Sequence, residues 1–596
     1  MKFPPIVRPL AALLAWPAAI AAFLLSFPFL QADEWLALAG GVAVVMIASA
    51  EGLAHTRRVA AGFALFAAAV IFANFTNTVP ADAKHAFAAA QFGPSALAFA
   101  TGTFCSAAFI FILAVTAVIG RIYCSALCPL GLLQDVFSRV AEDVRKLRDA
   151  VISLRTGKAA PRRKRLGYAP AAGVLRQSFL VATLLGVAAG WAGFVFAWLD
   201  PYSQFGRIAA GLLRPVAVFA NNLTANFTDF ISRETTVHPW AGFGALLPPL
   251  AILSVVAVMS ALRGRLYCNA VCPVGTLLGW VSKKAVFRVS IDKTSCKRCG
   301  DCVSVCKAQC IDLTTQEVDA SRCVGCFNCV AVCDDRGINP NWLGRAAAKG
   351  KRLAKIVKRG EQNSGTAAAT ATATAGLSRR GFLAGAGGVA FAGAVGVLGG
   401  KFAKAESQVT AVAPPGAGSR LRFTAQCTAC QLCVAACPVG LLEPALFEYG
   451  SASGFMKPRM NYAKNYCKPD CIICIETCPV EALLPLTKEQ KNKTRIGIAK
   501  LEIEKCIVRE KNTACGQCQE HCPVGALQMI EVPGKSKFAE PKIDEAICIG
   551  CGACEYACPA LPQKAIIIYG ASEHTLAQEI RDKKPAEDPN SGEDIF

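Results

Sequence analysis

Cys296-Lys297-Arg298-Cys299-Gly300-Asp301-Cys302-Val303-Ser304-Val305-Cys306 has the spacing Cys-x2-Cys-x2-Cys-x3-Cys, and its reading decides what kind of chain this is. Such a loop turns three thiolates toward three corners of one [4Fe–4S] cube, and the fourth reaches a neighbouring cube. The same run recurs at Cys323-Cys326-Cys329-Cys333, Cys427-Cys430-Cys433-Cys437 and Cys548-Cys551-Cys554-Cys558. Two further runs are stretched in the first gap: Cys467-x3-Cys471-x2-Cys474-x3-Cys478 and Cys506-x8-Cys515-x2-Cys518-x3-Cys522. Of thirty cysteines, twenty-four thus fall into six sets of four, which predicts six clusters and single-electron transfer among them.

Other uses of cysteine fit poorly. Disulfide frameworks belong to small secreted chains with little core, whereas this chain has 596 residues and is 53% hydrophobic. Zinc ribbons take two Cys-x2-Cys pairs separated by a longer stretch, and no Cys-x-x-Cys-His is present for covalent haem. The net charge of +21 does not mark a nucleic-acid binder. The basic residues cluster beside apolar stretches and form no basic stripe interleaved with aromatics.

Six apolar stretches of membrane-spanning length precede the first run, near 9–30, 35–54, 59–79, 96–119, 174–199 and 244–262. Lys2, Arg8, Arg57, Arg58, Arg145, Lys146, Arg148, the run 162–165, Arg263 and Arg265 flank them on alternate sides, which places the N-terminus and the first cluster domain in the bacterial cytoplasm. Residues 1–58 are read as two N-terminal spans and 59–285 as an all-α span domain. Within it Gly120-Arg121-Ile122-Tyr123-Cys124-Ser125-Ala126-Leu127-Cys128-Pro129-Leu130-Gly131 recurs as Gly264-Arg265-Leu266-Tyr267-Cys268-Asn269-Ala270-Val271-Cys272-Pro273-Val274-Gly275. Spans three to six therefore read as duplicated hairpins, which in membranes build a shared site at their interface. Cys124, Cys128, Cys268 and Cys272 are candidate redox thiols or a shared metal site, and the alternative is buried thiols beside a proline helix stop. Cys105 reads as an apolar filler.

Residues 286–340 read as a compact α+β unit for two clusters, with short strands at 311–313 and 317–318. The crossing rule assigns Cys296, Cys299, Cys302 and Cys333 to one cube and Cys323, Cys326, Cys329 and Cys306 to the other. Lys307 and Asp334 stand where proline usually follows the fourth cysteine, and Cys310 is a spare thiol. Residues 341–377, basic and then Ala/Thr-rich, form a linker. Ser378-Arg379-Arg380-Gly381-Phe382-Leu383 and the glycine-rich stretch behind it, within 378–405, read as a twin-arginine export signal, with a cleavage site at Ala403-Lys404-Ala405. An ordinary seventh span is the alternative. Either reading puts 406–575, an α+β domain carrying four runs, in the periplasm, followed by a polar tail over 576–596. By spacing alone its cysteines could cross in tandem (first with second, third with fourth) or nested (first with fourth, second with third).

The two Arg-x-Tyr-Cys-x3-Cys-Pro copies with the eight-cysteine unit, over about 60–340, resemble the NapH family of membrane quinol dehydrogenase components of periplasmic nitrate reduction. The twin arginines, Ala413-Pro414-Pro415-Gly416-Ala417 and the four Cys-Pro runs, over about 378–570, resemble its exported ferredoxin partner family, NapG. The resemblance implies a fusion of the two, with the membrane quinone pool as electron donor. The acceptor it implies is a periplasmic molybdenum reductase or its cytochrome partner. It also implies nested ligation: Cys427, Cys430, Cys433 with Cys558; Cys548, Cys551, Cys554 with Cys437; Cys467, Cys471, Cys474 with Cys522; and Cys506, Cys515, Cys518 with Cys478. Relatives of this family serve methylamine dehydrogenase and nitrous oxide reduction. A second expectation, from the paired Cys-x3-Cys-Pro thiols, is a redox maturation factor for a periplasmic metalloenzyme. No residue is assigned to quinone: His55, His85 and His238 lie at span edges, as solvated histidines do.

Overall fold

The computed structural model describes residues 53–74, 78–101, 106–156, 167–188, 192–225, 243–333, 337–339, 411–446, 448–450, 452–532 and 537–577. The first two expected spans, Cys105, His238, Asp334, the linker, the twin-arginine segment and the tail beyond residue 577 lie outside these. The chain divides into two units, the second formed essentially by residues 399–596.

In the first unit, helices Leu53–Ala73 and Phe243–Arg263 contain the two described segments long and apolar enough to cross a membrane. Within each of the spans expected at 96–119 and 174–199 the described residues form two helices that pack against each other. Helices Phe92–Thr101 and Ser106–Ile119 lie side by side, with the Phe99 and Phe109 ring centroids 5.2 Å apart. Ten residues along one straight helix would separate them by about 15 Å. Likewise Gly186 of Gly173–Ala188 packs directly against Val195 of Ala192–Leu199.

These helices are turned inside out relative to a water-soluble bundle. Ile110, Phe111, Leu184, Leu185, Leu247, Val258 and Leu262 face outward, while Gln91, Arg121, Gln134, Asp200, Arg207 and Arg265 are buried. The eight-cysteine part closes on two small antiparallel sheets. β1 (Ser290–Ile291) pairs with β4 (Ile338–Asn339), and β2 (Ile311–Asp312) with β3 (Glu317–Val318).

The second unit is α+β with little regular structure, as the alternating apolar segments predict. β5 (Leu442–Pro444) pairs with β6 (Pro458–Met460), and β8 (Leu527–Ile530) with β9 (Glu540–Ile543). The longest ladder joins β7 (Thr494–Leu501) to β10 (Ile566–Leu576), with a register shift between Gly570 and Thr575. Thr487 starts helix Lys488–Lys493 with a capping box to Gln490, which delivers the chain into β7.

β10 carries a titratable element. Burial pushes His574 down to about 4, and neither ring nitrogen has a hydrogen-bond partner. A base with a depressed folded pKa takes up its proton on unfolding, so its penalty is absent above pH 6.5 and grows as pH falls toward 4. His574→Gln is expected to remove an acid sensitivity on the order of 2 kcal/mol from the second unit. Melting the variant and the parent at pH 7 and pH 4.5 checks this, and an equal acid-induced loss in both contradicts it.

Candidate iron–sulfur sites

In the four unstretched runs the residues on either side of the second cysteine both have positive φ: Arg298 and Gly300, Gly325 and Phe327, Ala429 and Gln431, Gly550 and Gly552. Four of these eight are not glycine, an uncommon concentration of left-handed backbone that costs conformational energy and marks a functional loop. At Gly550 the close approach is absolute, since a Cβ would lie 2.5 Å from the Gly497 backbone.

The loops gather the cysteines into fours. Cys296, Cys299, Cys302 and Cys333 line one cavity, and Cys306 neighbours Cys323, Cys326 and Cys329 electrostatically, as the crossing rule predicts. In the second unit Cys437 lines a cavity with Cys467, Cys471 and Cys474, and Cys522 lines one with Cys548, Cys551 and Cys554. Cys478 sits with Cys427, Cys430 and Cys433, and Cys558 with Cys506, Cys515 and Cys518. The crossing is therefore tandem, and the nested ligation implied by resemblance is corrected. The physical reason is local: each fourth cysteine returns to the loop next to it in sequence, across the hairpins β5–β6 and β8–β9.

The sulfur sets suit a metal–sulfur group. Burial pushes the Cys430 and Cys551 thiols up to about 12, so as free thiols they stay protonated. Backbone N–H groups already point at ligand sulfurs, from Ala429 to Cys427 Sγ at 3.4 Å and from Ala526 to Cys522 Sγ at 3.2 Å. These donors favour the thiolate that iron requires. Iron–sulfur clusters bound there supply one-electron chemistry.

The four sets of the second unit stand in a file that departs from sequence order. Cys433 of the first set neighbours Cys474 of the second. Cys467 of the second donates its N–H to Cys551 O of the fourth at 3.1 Å. Cys554 of the fourth neighbours Cys518 of the third. The order is therefore 427, 467, 548, 506, each set named by its first cysteine. Buried Tyr462 ties the two middle sets, its OH donating to Gly550 O at 2.7 Å.

The two Gly-Arg-x-Tyr-Cys-x3-Cys-Pro-x-Gly copies of the first unit fold alike, and each motif position has a use. Gly120 and Gly264, at positive φ, end the preceding helices. Tyr123 OH donates to Gln91 Oε1 at 3.1 Å, and Tyr267 OH accepts from Gln204 Nε2 at 2.6 Å. Pro129 and Pro273 open the next helices, Pro129–Thr156 and Pro273–Ser282. The copies interlock reciprocally: Arg121 donates to Cys268 O at 3.4 Å and Arg265 to Cys124 O. Gly131 and Gly275 leave the space for those contacts. Cys124, Cys128, Cys268 and Cys272 are all buried and are electrostatic neighbours of one another.

The copies differ in their charges. Arg265 makes a two-pronged bond to Asp135, at 2.9 and 2.8 Å, and Lys307 and Arg57 approach the same carboxylate at 2.7 and 3.7 Å. Burial alone would raise the Asp135 pKa, but Arg265 and Lys307 outweigh it and hold the carboxyl well below the usual range. Burial lowers Lys307 to about 8 against the pull of Asp135. This pairing explains why lysine replaces proline after Cys306. In the second copy Gly279 holds the place of Asp135, and the Ser321 carbonyl packs against it, two residues before Cys323. The cluster loop thus rests on the repeat. Cys310, the spare thiol, is buried with its sulfur 3.6 Å from Cys306 Sγ. His55 is exposed, as expected. The charge cluster around Asp135 was not read from sequence, where one acid in an amphipathic helix carries no signal.

Sets of four cysteines held by left-handed loops, in crossed pairs, define a multi-cluster ferredoxin. A family model for a 4Fe-4S binding domain matches residues 101–148 and 246–292, and one for a 4Fe-4S dicluster domain matches 511–561. The chain is 29% identical over 164 residues to the ferredoxin-type protein NapF of Escherichia coli, covering 28% of this chain and 88% of that one. It is 30% identical over 169 residues to the methylamine utilization ferredoxin-type protein MauM of Methylorubrum extorquens, covering 27% and 73%. It is 26% identical over 188 residues to MauN of Paracoccus denitrificans, covering 31% and 48%. No solved structure matches the chain. The chain belongs to the ferredoxin-type iron–sulfur proteins, related to the Nap and Mau ferredoxins.

Proposed function

We propose that this protein is a membrane-bound electron-transfer chain in one polypeptide, with a NapH-like span domain and a NapG-like exported domain. It passes electrons from quinol through six [4Fe–4S] clusters to a periplasmic reductase, nitrate reductase being the preferred acceptor. The observation that carries this reading is the file of four cysteine sets in the second unit, since a row of adjoining one-electron sites serves as a conductor. Outward apolar helices and buried polar groups in the first unit support the membrane assignment. Oxidation of quinol releases two electrons and two protons; each cluster accepts one electron at a time, and the protons leave to solvent. The cytoplasmic placement of the eight-cysteine part and the periplasmic placement of the second unit rest on the basic flanks and the twin arginines.

Adding a quinol to the purified chain in lipid vesicles is expected to bleach cluster absorbance near-stoichiometrically. Clusters that respond to dithionite but not to quinol sink the reading. The names of the MauM and MauN relatives make an electron acceptor in methylamine utilization the alternative partner. A maturation factor remains a second reading, favoured by the four buried thiols of the repeats. Replacing Cys124, Cys128, Cys268 and Cys272 separates the two. A partner enzyme lacking its own cofactor favours maturation, and an intact but unreduced partner favours electron transfer.

A further inference from the structure

Among the described residues the second unit buries three charged side chains, Lys457, Lys491 and Glu540. Glu540 has its counter-ion, because Arg509 donates to it through Nε and Nη2 at 3.1 and 2.7 Å. The two lysines do not. Lys457 is fully buried, and its ammonium donates to the carbonyl of Thr424, just ahead of Cys427. Lys491 is 6% exposed and donates to the carbonyls of Lys468 and Pro469, inside the stretched loop between Cys467 and Cys471. Among the described residues no carboxylate pairs with either lysine. A buried ammonium surrounded only by neutral oxygens is costly. Both lysines stand against cysteine sets. Cys427 is the charged neighbour of Lys457, and Lys491 acts on Cys467 and Cys474. The other half of the file is served differently. Arg495 bonds Cys548 O at 3.3 Å and Lys564 bonds Cys558 O, both half-buried, and Arg509 is committed to Glu504 and Glu540. Water screens such half-exposed charges, and paired ones largely cancel.

We propose that Lys457 and Lys491 are the counter-ions of the clusters held by the 427 and 467 sets, and that they make this half of the file its higher-potential end. The inference rests on the reading of these sets as cluster ligands. A cluster gains one negative charge when it takes an electron, so a buried cation beside its sulfurs favours the reduced form. The step is the transfer of one electron; no bond forms or breaks, and both lysines keep their protons. An electron entering the file therefore comes to rest on the 427 and 467 sets. Lys491 also has a positioning role in the stretched loop. No residue from 468 to 473 has positive φ, so this loop lacks the left-handed pair that shapes the unstretched runs, and Lys491 gathers its carbonyls instead.

The test is a redox titration of the full chain, purified anaerobically in detergent and followed by electron paramagnetic resonance, with iron counted in parallel. Lys457→Met and Lys491→Met are each expected to keep the parent's iron and to lower one midpoint potential by about 59 mV or more, a tenfold shift of a one-electron equilibrium. The double variant should lower two. Lys488→Met removes a water-facing charge from the helix that carries Lys491 and should leave every potential in place. Potentials unmoved in both methionine variants, or moved equally by Lys488→Met, overturn the proposal. Where a methionine variant loses iron, the charge-keeping Lys457→Arg or Lys491→Arg decides. Iron and potential retained with arginine support the counter-ion, and iron lost alike with arginine and methionine overturns it. Neither readout uses quinol or a partner, so failure here leaves the electron-transfer reading standing, whereas a parent devoid of iron overturns both.

Discussion

Cys427→Ser combined with Cys478→Ser is expected to cost the protein about four iron, no more than either substitution alone, because both cysteines serve one four-iron site. Cys427→Ser combined with Cys558→Ser is expected to cost about eight, because those belong to different sites. Nested ligation predicts the reverse in both cases, so the pair of double variants decides between the two arrangements. The contrast also tests the file. Cys433 neighbours Cys474, while Cys506 and Cys558 share a core at the other end of the unit with Val508 and Ala560. In the Cys427→Ser/Cys478→Ser variant, cluster signals in electron paramagnetic resonance should therefore change in a coupled way for the 427 and 467 sets and leave the 506 set untouched. Iron losses that follow the nested pattern would remove the basis for the order given above.

Asp135→Ala is expected to destabilise the first unit by about 3–5 kcal/mol, since it strands buried cations around an absent carboxylate. Arg265 is 1% exposed and Lys307 2%, so neither can turn to water without opening the seam between the repeats and the cluster loops. Loss of iron from the set of Cys306, Cys323, Cys326 and Cys329 should accompany the fall in melting temperature. Glu142→Ala, which breaks a water-facing pair with Lys146 at 3.0 Å on the same helix, should change stability by less than about 1 kcal/mol. Equal effects of the two substitutions would refute the role given to Asp135. Its acid sensitivity has a definite sign. The folded pKa is depressed, so its contribution is complete above the ordinary carboxylate range and is lost only as pH falls far below it.

The cysteine spacing made the ligand sets legible because three ligands of each set lie within one loop, where covalent geometry fixes which sulfurs can meet. The fourth ligand is a tertiary fact. In the eight-cysteine part the crossing rule leaves Cys333 and Cys306 one partner run each, and the structure places each beside that run. Four runs admit several pairings, and resemblance chose the wrong one. The repeats were legible as a duplication, but Arg121 and Arg265 read only as basic residues at a span end. Their reach into the opposite copy depends on Gly131 and Gly275, whose importance shows only once the neighbouring backbone is in place. The spans at 96–119 and 174–199 show the limit of hydropathy. An apolar run of that length satisfies a bilayer equally as one crossing helix or as two short helices folded together, and composition does not distinguish them.

The file of cysteine sets has a consequence for the insertion between Cys506 and Cys515. Lys511, Asn512, Thr513 and Ala514 are all exposed and lie on the outermost set, whose inward-facing member is Cys518. Chain length can vary there without displacing any sulfur that faces another set. A lengthened loop at the 548 set would instead have to pass the Gly497 backbone and the Tyr462 ring. On the electron-transfer reading proposed above, this set is one end of the file, where chain length can vary while the interior sets keep their spacing.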